Sequence, residues 1–244
     1  MKENNILYWL KYWSKETPNE TNYTFWSYKD EERVERVITC QELYKNSCIY
    51  AQYLKDKGIK KKDRIIILAE QEPETIYTIY ASLMVGAIFI LVPVPEDTNK
   101  YERLISTIES AEAKVIVYNG QEFLNKEHIN TDFINVNDIE VQDEVEFEPQ
   151  GIEENDVAFL QYTSGSVNAP KGIMCTHKNI MEGVKNLQSV LQLSQEDINV
   201  SWLPFYHVMG LVMGIFYAAY INRKEIIMTT KVFQEKPVRW IKAI

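Results

Sequence analysis

The feature that most constrains the fold is the apolar, β-branched run Arg-Ile-Ile-Ile-Leu over Arg64–Leu68, which is followed by helical spacing and then by another such run. A strand with apolar residues at consecutive positions has no polar face to give to solvent, so it must be covered on both sides, as in a parallel sheet flanked by helices. A helical pattern over residues 41–57 precedes this strand and is closed by Gly58. Apolar residues then recur at helical spacing over 73–85, with Pro73 suited to a first turn and Gly86 ending the run. A second apolar strand covers 87–92 and is stopped by Pro93 and Pro95. The charged amphipathic segment 100–111 leads to a third strand at 114–118 and a fourth at 133–136. Strands alternating with helices of this length predict βαβ units, and hence an α/β fold of mostly parallel sheets flanked by helices.

Charge divides the chain where this pattern pauses. The chain carries 26 basic and 35 acidic residues, for a net charge of −9. Nine of the acidic side chains lie within 138–156, a stretch without Lys or Arg, so the remainder holds 26 of each sign. With Pro149 and Gly151 inside it, the segment reads as a solvated connector and a soft internal boundary. Beyond it the alternation resumes, with a strand at 157–162, a loop at 163–172, and a helix from an N-cap at Thr176 to about residue 191. A strand at 198–203, a turn at 204–206, a helix at 207–220, a strand at 225–229 and the start of a helix at 237–244 complete the pattern.

Composition narrows the function classes. At 244 residues with 45% hydrophobic and 25% charged side chains, the chain has the make-up of a globular protein with a sizeable core. Net negative charge gives no electrostatic reason to seek nucleic acid or anionic lipid, so neither is expected as a partner. The cysteines Cys40, Cys48 and Cys175 are odd in number and form no CxxC pair, which fits a reducing, cytoplasmic setting and suggests neither a disulfide framework nor a zinc site. The uncharged runs 75–95 and 202–222 are long enough to span a bilayer, but each carries Pro, Gly, hydroxyl or His side chains that lipid penalises, so no membrane span is expected.

The chemistry concentrates in Tyr162-Thr163-Ser164-Gly165-Ser166-Val167-Asn168-Ala169-Pro170-Lys171-Gly172. Two glycines, three hydroxyls and a lysine follow a buried strand and precede a helix, so the loop can turn amide hydrogens, hydroxyl donors and an ammonium toward one anion. Phosphate is the natural guest, and an ordinary surface turn is the alternative. The order differs from the common P-loop, because the lysine precedes its glycine and no Ser or Thr follows the pair. A second concentration is Trp202-Leu203-Pro204-Phe205-Tyr206-His207-Val208-Met209-Gly210. On its own, His207 there reads as a hydrogen-bonded structural residue, His177 as part of the helix after the loop, and Cys175 as a small buried thiol.

The first segment resembles the phosphate-binding signature of the adenylate-forming superfamily, which holds acyl-CoA synthetases, peptide-synthetase adenylation domains, luciferases and fatty acyl-AMP ligases. The second resembles that family's Pro-x-x-His-x-x-Gly substrate motif, in the right order and at the right distance. Gly58 to Leu68 and Gly86 to Pro95 are similar to the family's opening sheet, so the likeness covers nearly the whole chain. Gln161 and the Ser-Trp-Leu-Pro run ending in His-x-Met-Gly-Leu are most like the fatty acyl-AMP ligases, and Asn168 leans the same way. Two residues depart from the pattern. Val167 stands where a hydroxyl is expected in the loop, and Val208 where an Asp often follows the motif histidine.

The resemblance implies that a carboxylate oxygen attacks the α-phosphate of ATP to give an acyl-adenylate and pyrophosphate, with Mg²⁺ assisting. It assigns Thr163, Ser164, Gly165, Ser166, Lys171 and Gly172 to the β- and γ-phosphates. His207 is placed at the acyl pocket near the reacting carboxylate as the catalytic residue, and Trp202, Met209 and Gly210 shape that pocket unless they belong to the core. The acceptor of the acyl group is an acyl carrier protein, or coenzyme A if the parent is an acyl-CoA synthetase. The family's Mg²⁺-associated Glu, ribose-binding Asp, hinge and small lid domain with its lysine do not occur in this sequence. Residues 1–244 are therefore expected to be the N-terminal portion of the large adenylation domain, inactive alone. A non-catalytic nucleotide-binding or structural module, favoured by Val167, is the alternative from another class.

Overall fold

The computed structural model describes residues 3–120, 129–140, 145–149, 151–162 and 171–244. These form α/β architecture in two compact units, one made of residues 1–45, 71–73 and 178–244, the other of residues 46–70 and 74–177. The acidic stretch 138–156, expected as a boundary, therefore falls inside the second unit. Its end is held there, because the Lys61 ammonium pairs with Asp156 at 2.7 Å and also donates to the Gly151 carbonyl.

The second unit contains a six-stranded sheet built from β3 (Arg64–Leu68), β4 (Ile88–Val92), β5 (Val115–Tyr118), β6 (Asp132–Asn135), β7 (Val157–Tyr162) and β8 (Gly172–Thr176), ordered β6-β5-β3-β4-β7-β8. All neighbours run parallel except β7 and β8. Ile66 is the register partner of both Ile90 and Ile116. These three, with Leu68 and Val92, bury one sheet face against Leu104, Ile108 and Ala111 of helix α4 (Thr98–Ala111). Ile65 and Ile67 alternate to the opposite face and are equally buried, so the consecutive apolar run is covered on both sides. Asp97 caps α4 by accepting the Lys100 amide, and Glu112 ends the helix in the left-handed conformation. The Arg64 guanidinium takes the carbonyls of Ala111 and Glu112 that this ending leaves without helical partners.

The first unit contains a four-stranded sheet of β1 (Thr21–Lys29), β2 (Glu32–Thr39), β9 (Ile198–Ser201) and β10 (Lys224–Met228), ordered β2-β1-β10-β9. β10 runs parallel to both β1 and β9, and β1 pairs antiparallel with β2. Asp30 and Glu31, both at positive φ, make the two-residue turn of that hairpin, and Glu31 is tied down by Lys236 and Arg239. Helix α1 (Ile6–Glu16), capped by Asn5, buries Ile6, Leu7 and Leu10. The hairpin is not signalled by a strong sequence pattern, since Asp-Glu is a rare choice for a turn that favours Gly.

The helix expected at 207–220 has three parts: α6 (Val208–Leu211), a π-helical stretch Val212–Tyr217, and α7 (Ala218–Ile221). The wider π-turn withdraws carbonyls from the regular ladder. Arg223, 1% exposed, answers this by donating to the Met213 carbonyl at 3.2 Å while its guanidinium lies over the Tyr217 ring. The same guanidinium pairs with Glu225, whose other oxygen accepts from Asn199 at 2.7 Å. Among the described residues no helix is long and apolar enough to cross a membrane.

Candidate nucleotide and acyl site

The glycine-rich signature leaves the carboxyl end of β7, and the His207 turn leaves the carboxyl end of β9. Carboxyl ends of parallel strands are where open α/β sheets place ligands. The signature belongs to the second unit and the His207 turn to the first.

Thr163, Ser164, Gly165 and Ser166 lie outside the described residues. The ends of the signature are described. Tyr162 and Gly172 are cross-strand partners in the β7–β8 pair, so the intervening segment closes a hairpin. The sequence pattern assigns no element between the loop's end at Gly172 and the helix cap at Thr176, and the structure fills that interval with a strand. Residues 172–176 are a β-prone run that pairs antiparallel with the edge of β7, and helix α5 (His177–Leu191) starts only after it. Lys171 is exposed at the hairpin's mouth. A Cβ on Gly172 would stand 3.0 Å from the Tyr162 ring, so glycine lets that aromatic lie flat across the strand end. The Tyr162 hydroxyl donates to Ser110 Oγ at 3.1 Å.

In the first unit, Trp202, His207, Met209 and Gly210 come together on one turn. The His207 amide donates to the Pro204 carbonyl at 3.0 Å, and its own carbonyl accepts from Leu211 at 3.0 Å. Its Nδ1 accepts the Met209 amide at 3.2 Å, so His207 is the N-cap of α6. An acceptor Nδ1 requires the tautomer that carries its proton on Nε2, and that N–H points away from the cap. Phe205 is buried and anchors the turn, whereas His207, Val208 and Met209 are exposed. Met209 therefore does not belong to the core. Gly210 is buried, and a Cβ there would collide with the Pro204 carbonyl and stand 3.0 Å from the Leu203 oxygen. Glycine is required for the helix to start this close to its own entering strand. Trp202 is half-buried and stacks face to face on Phe233, with centroids 4.0 Å apart.

Gln71 is the residue that sequence reasoning missed. It sits on the connection after β3 yet belongs to the first unit, and its amide lies within hydrogen-bonding distance of the Trp202, Leu203 and Met228 carbonyls. No local pattern signals it, because all its partners are more than a hundred residues away.

His177 fits its structural reading, whereas Cys175, expected as a buried thiol, is only half-buried on the edge strand β8. His177 is 2% exposed, and burial lowers its imidazole to about 4 despite the nearby Asp156 carboxylate. Burial pushes the Cys175 thiol up, away from thiolate reactivity. Among the described residues, no group of three or more His, Cys, Asp or Glu side chains is placed to hold a metal ion.

Three comparisons relate the chain to known proteins. The family model of AMP-binding enzymes matches residues 10–244. The chain is 27% identical over 259 residues to the 4-hydroxyphenylalkanoate adenylyltransferase of Mycobacterium tuberculosis, covering all of this chain and 42% of that protein. It is 27% identical over 202 residues to JamA of Moorena producens, a medium-chain-fatty-acid–[acyl-carrier-protein] ligase, covering 77% of this chain and 34% of that one. Its fold superposes with a TM-score of 0.91 on a fatty acyl-adenylate ligase from L. pneumophila, crystallised with acyl adenylate and pyrophosphate, at 25% identity over 99% of this chain and 42% of that one. The chain spans well under half the length of each of these relatives.

Proposed function

Because the chain belongs to the AMP-binding enzyme family, we propose that it is the nucleotide- and acyl-binding portion of a ligase that activates a fatty or other carboxylic acid as its acyl-adenylate and passes the acyl group to an acyl carrier protein. The observation that carries this reading is that each unit has a ligand-type turn leaving the carboxyl end of a parallel strand, at 162–172 in one and at the His207 cap in the other. The L. pneumophila relative, bound to acyl adenylate and pyrophosphate, supports the reaction class, and the JamA relative supports a carrier protein as acceptor.

In the reaction, a carboxylate oxygen bonds to the α-phosphorus of ATP while the bond from that phosphorus to the β-bridging oxygen breaks. Pyrophosphate departs with the electron pair. Negative charge accumulates on phosphate oxygens, so donors aimed at them lower the barrier. Thr163, Ser164, Gly165, Ser166 and Gly172 supply hydroxyl and amide donors to the β- and γ-phosphates, and Lys171 supplies a point charge. His207 presents Nε2–H to the substrate carboxylate, leaving one oxygen free to attack. Trp202, Met209 and Gly210 shape the wall beside it. Mg²⁺ would neutralise phosphate charge when bound. The described residues offer it no ligand cluster, so no step is assigned to it.

Calorimetry of ATP binding to the 244-residue chain tests the nucleotide half of this reading. Lys171→Ala should weaken ATP at least tenfold, and unchanged affinity would leave only a structural role for the hairpin. Supplying the longer parent with holo carrier protein or with coenzyme A, and measuring acyl transfer, tests the acceptor.

A further inference from the structure

We propose that Gln71 is a positioning residue for the acyl-site turn, holding the main chain from which His207 is presented. The inference rests on the reading of His207 as an acyl-site residue. Its physical content is one carboxamide serving five contacts. Nε2 donates toward the carbonyls of Trp202, Leu203 and Met228 at 3.2, 3.1 and 3.1 Å, so its two hydrogens are shared among three acceptors. Oε1 accepts from the Thr230 amide at 2.7 Å and the Thr230 hydroxyl at 2.9 Å. The amide can face only one way, since the flipped group would set its oxygen against three carbonyls and its hydrogens against an amide N–H.

These contacts gather three chain segments. β9 ends one residue before Trp202, β10 ends at Met228, and helix α8 (Thr230–Glu235) begins at Thr230. Gln71 therefore sets the spacing of two parallel strand ends and of the helix that follows one of them. The stacking of Trp202 on Phe233 of α8 closes the same junction. Pro204 follows directly on the two carbonyls that Gln71 holds. Its own carbonyl both accepts the His207 amide and lies against Gly210. A shift of the 202–203 main chain must therefore move the histidine cap, because Gly210 leaves no slack beneath it. Gln71 itself is 9% exposed, and its partners consume both ends of its amide, so it positions and does not touch substrate.

The test compares wild-type chain with Gln71→Leu, which keeps bulk and removes the amide. The probes are ATP and dodecanoyl-sulfamoyl-adenosine, a stable mimic of an acyl-adenylate, each titrated by calorimetry. Amide hydrogen exchange is followed at His207 and Met209. The expected result is at least tenfold weaker binding of the acyl-adenylate mimic, ATP affinity within twofold of wild type, and at least tenfold faster exchange at Met209 with the β3–β5 amides unchanged. A residue that only fills space would move both affinities together or neither. Mimic affinity within twofold of wild type together with unchanged Met209 exchange would overturn the proposal. If wild type binds neither probe, the functional reading fails for this chain, and the exchange data alone decide the role of Gln71. Should Gln71→Leu fail to fold, Thr230→Val removes one hydroxyl partner and keeps the Thr230 amide. It should produce the same pattern at smaller amplitude, and no change would count against the proposal.

Discussion

His207 Nδ1 accepts the amide hydrogen of Met209 at 3.2 Å, and this single bond fixes which face of the imidazole is available for chemistry. A capping nitrogen cannot carry a proton, so the neutral ring presents Nε2–H outward. Imidazole ¹⁵N shifts should report that tautomer. In the longer ligase proposed above, His207→Ala should lower carboxylate-dependent ATP–pyrophosphate exchange by roughly a hundredfold, the scale of a lost polar contact at a reacting centre. Loss of the cap should cost about 1 kcal/mol of stability, too little to account for that drop.

Gly210→Ala tests the close approach beneath the cap. The added methyl would collide with the Pro204 carbonyl, and main chain cannot swing aside as a flexible side chain can. A loss of about 1–3 kcal/mol, the cost of overpacking a tight site, is expected in urea denaturation. Acyl-adenylate mimic binding should weaken along with stability.

The buried pair Arg223 and Glu225 gives a third prediction. Both side chains are at most 2% exposed, and burial pushes the Glu225 carboxyl up to about 7. Arg223→Met would leave Glu225 without its cation and the Met213 carbonyl without its donor, a loss of about 3–5 kcal/mol at pH 8. A carboxyl whose folded value lies above its unfolded one stabilises in its protonated form, and that contribution fades as pH rises through 7. Arg223 lowers the Glu225 value, so its removal should push that carboxyl higher still, protonation should recover more stability in the variant than in wild type, and the deficit should shrink between pH 8 and pH 5. A deficit that stays constant across that range would contradict this account.

His177 titrates in the opposite sense. Its folded value of about 4 lies below the ordinary 6.5, so the fold favours the neutral ring, and stability is lost as pH falls from 6.5 towards 4. Between pH 7 and pH 5 the loss attributable to this residue is about 2 kcal/mol. His177→Gln should show a flatter stability profile over that interval, measured by denaturation at each pH.

The periodic parts of the chain were legible from sequence, and the reasons are local. The apolar runs at Arg64–Leu68 and Ile88–Val92 announce two-sided burial, and both strands sit inside the parallel sheet. Helix α3 (Pro73–Val85) has the limits that its proline and following glycine imply, with Gly86 at positive φ. Strand β8 is absent from the sequence pattern, which leaves 173–175 without an element, because a five-residue edge strand with exposed Ile173 and Met174 has no buried face to betray it. The hairpin of β1 and β2 turns on Asp30 and Glu31, whose left-handed conformations are supported by Lys236 and Arg239 from the far end of the chain.

Residue order alone carried the fold class and marked the 162–172 segment and the His207 turn as the places proposed here to meet nucleotide and acyl group, since periodicity and motif spacing are properties of neighbouring residues. The three-dimensional arrangement was needed for the rest. It showed that the hairpin returns as a strand before any helix begins, that His207 spends one ring nitrogen on its own cap, and that Gln71 joins the carboxyl ends of β9 and β10 to the start of α8. Each of these depends on hydrogen-bond partners chosen by close packing, and such partners leave no periodic trace in the chain.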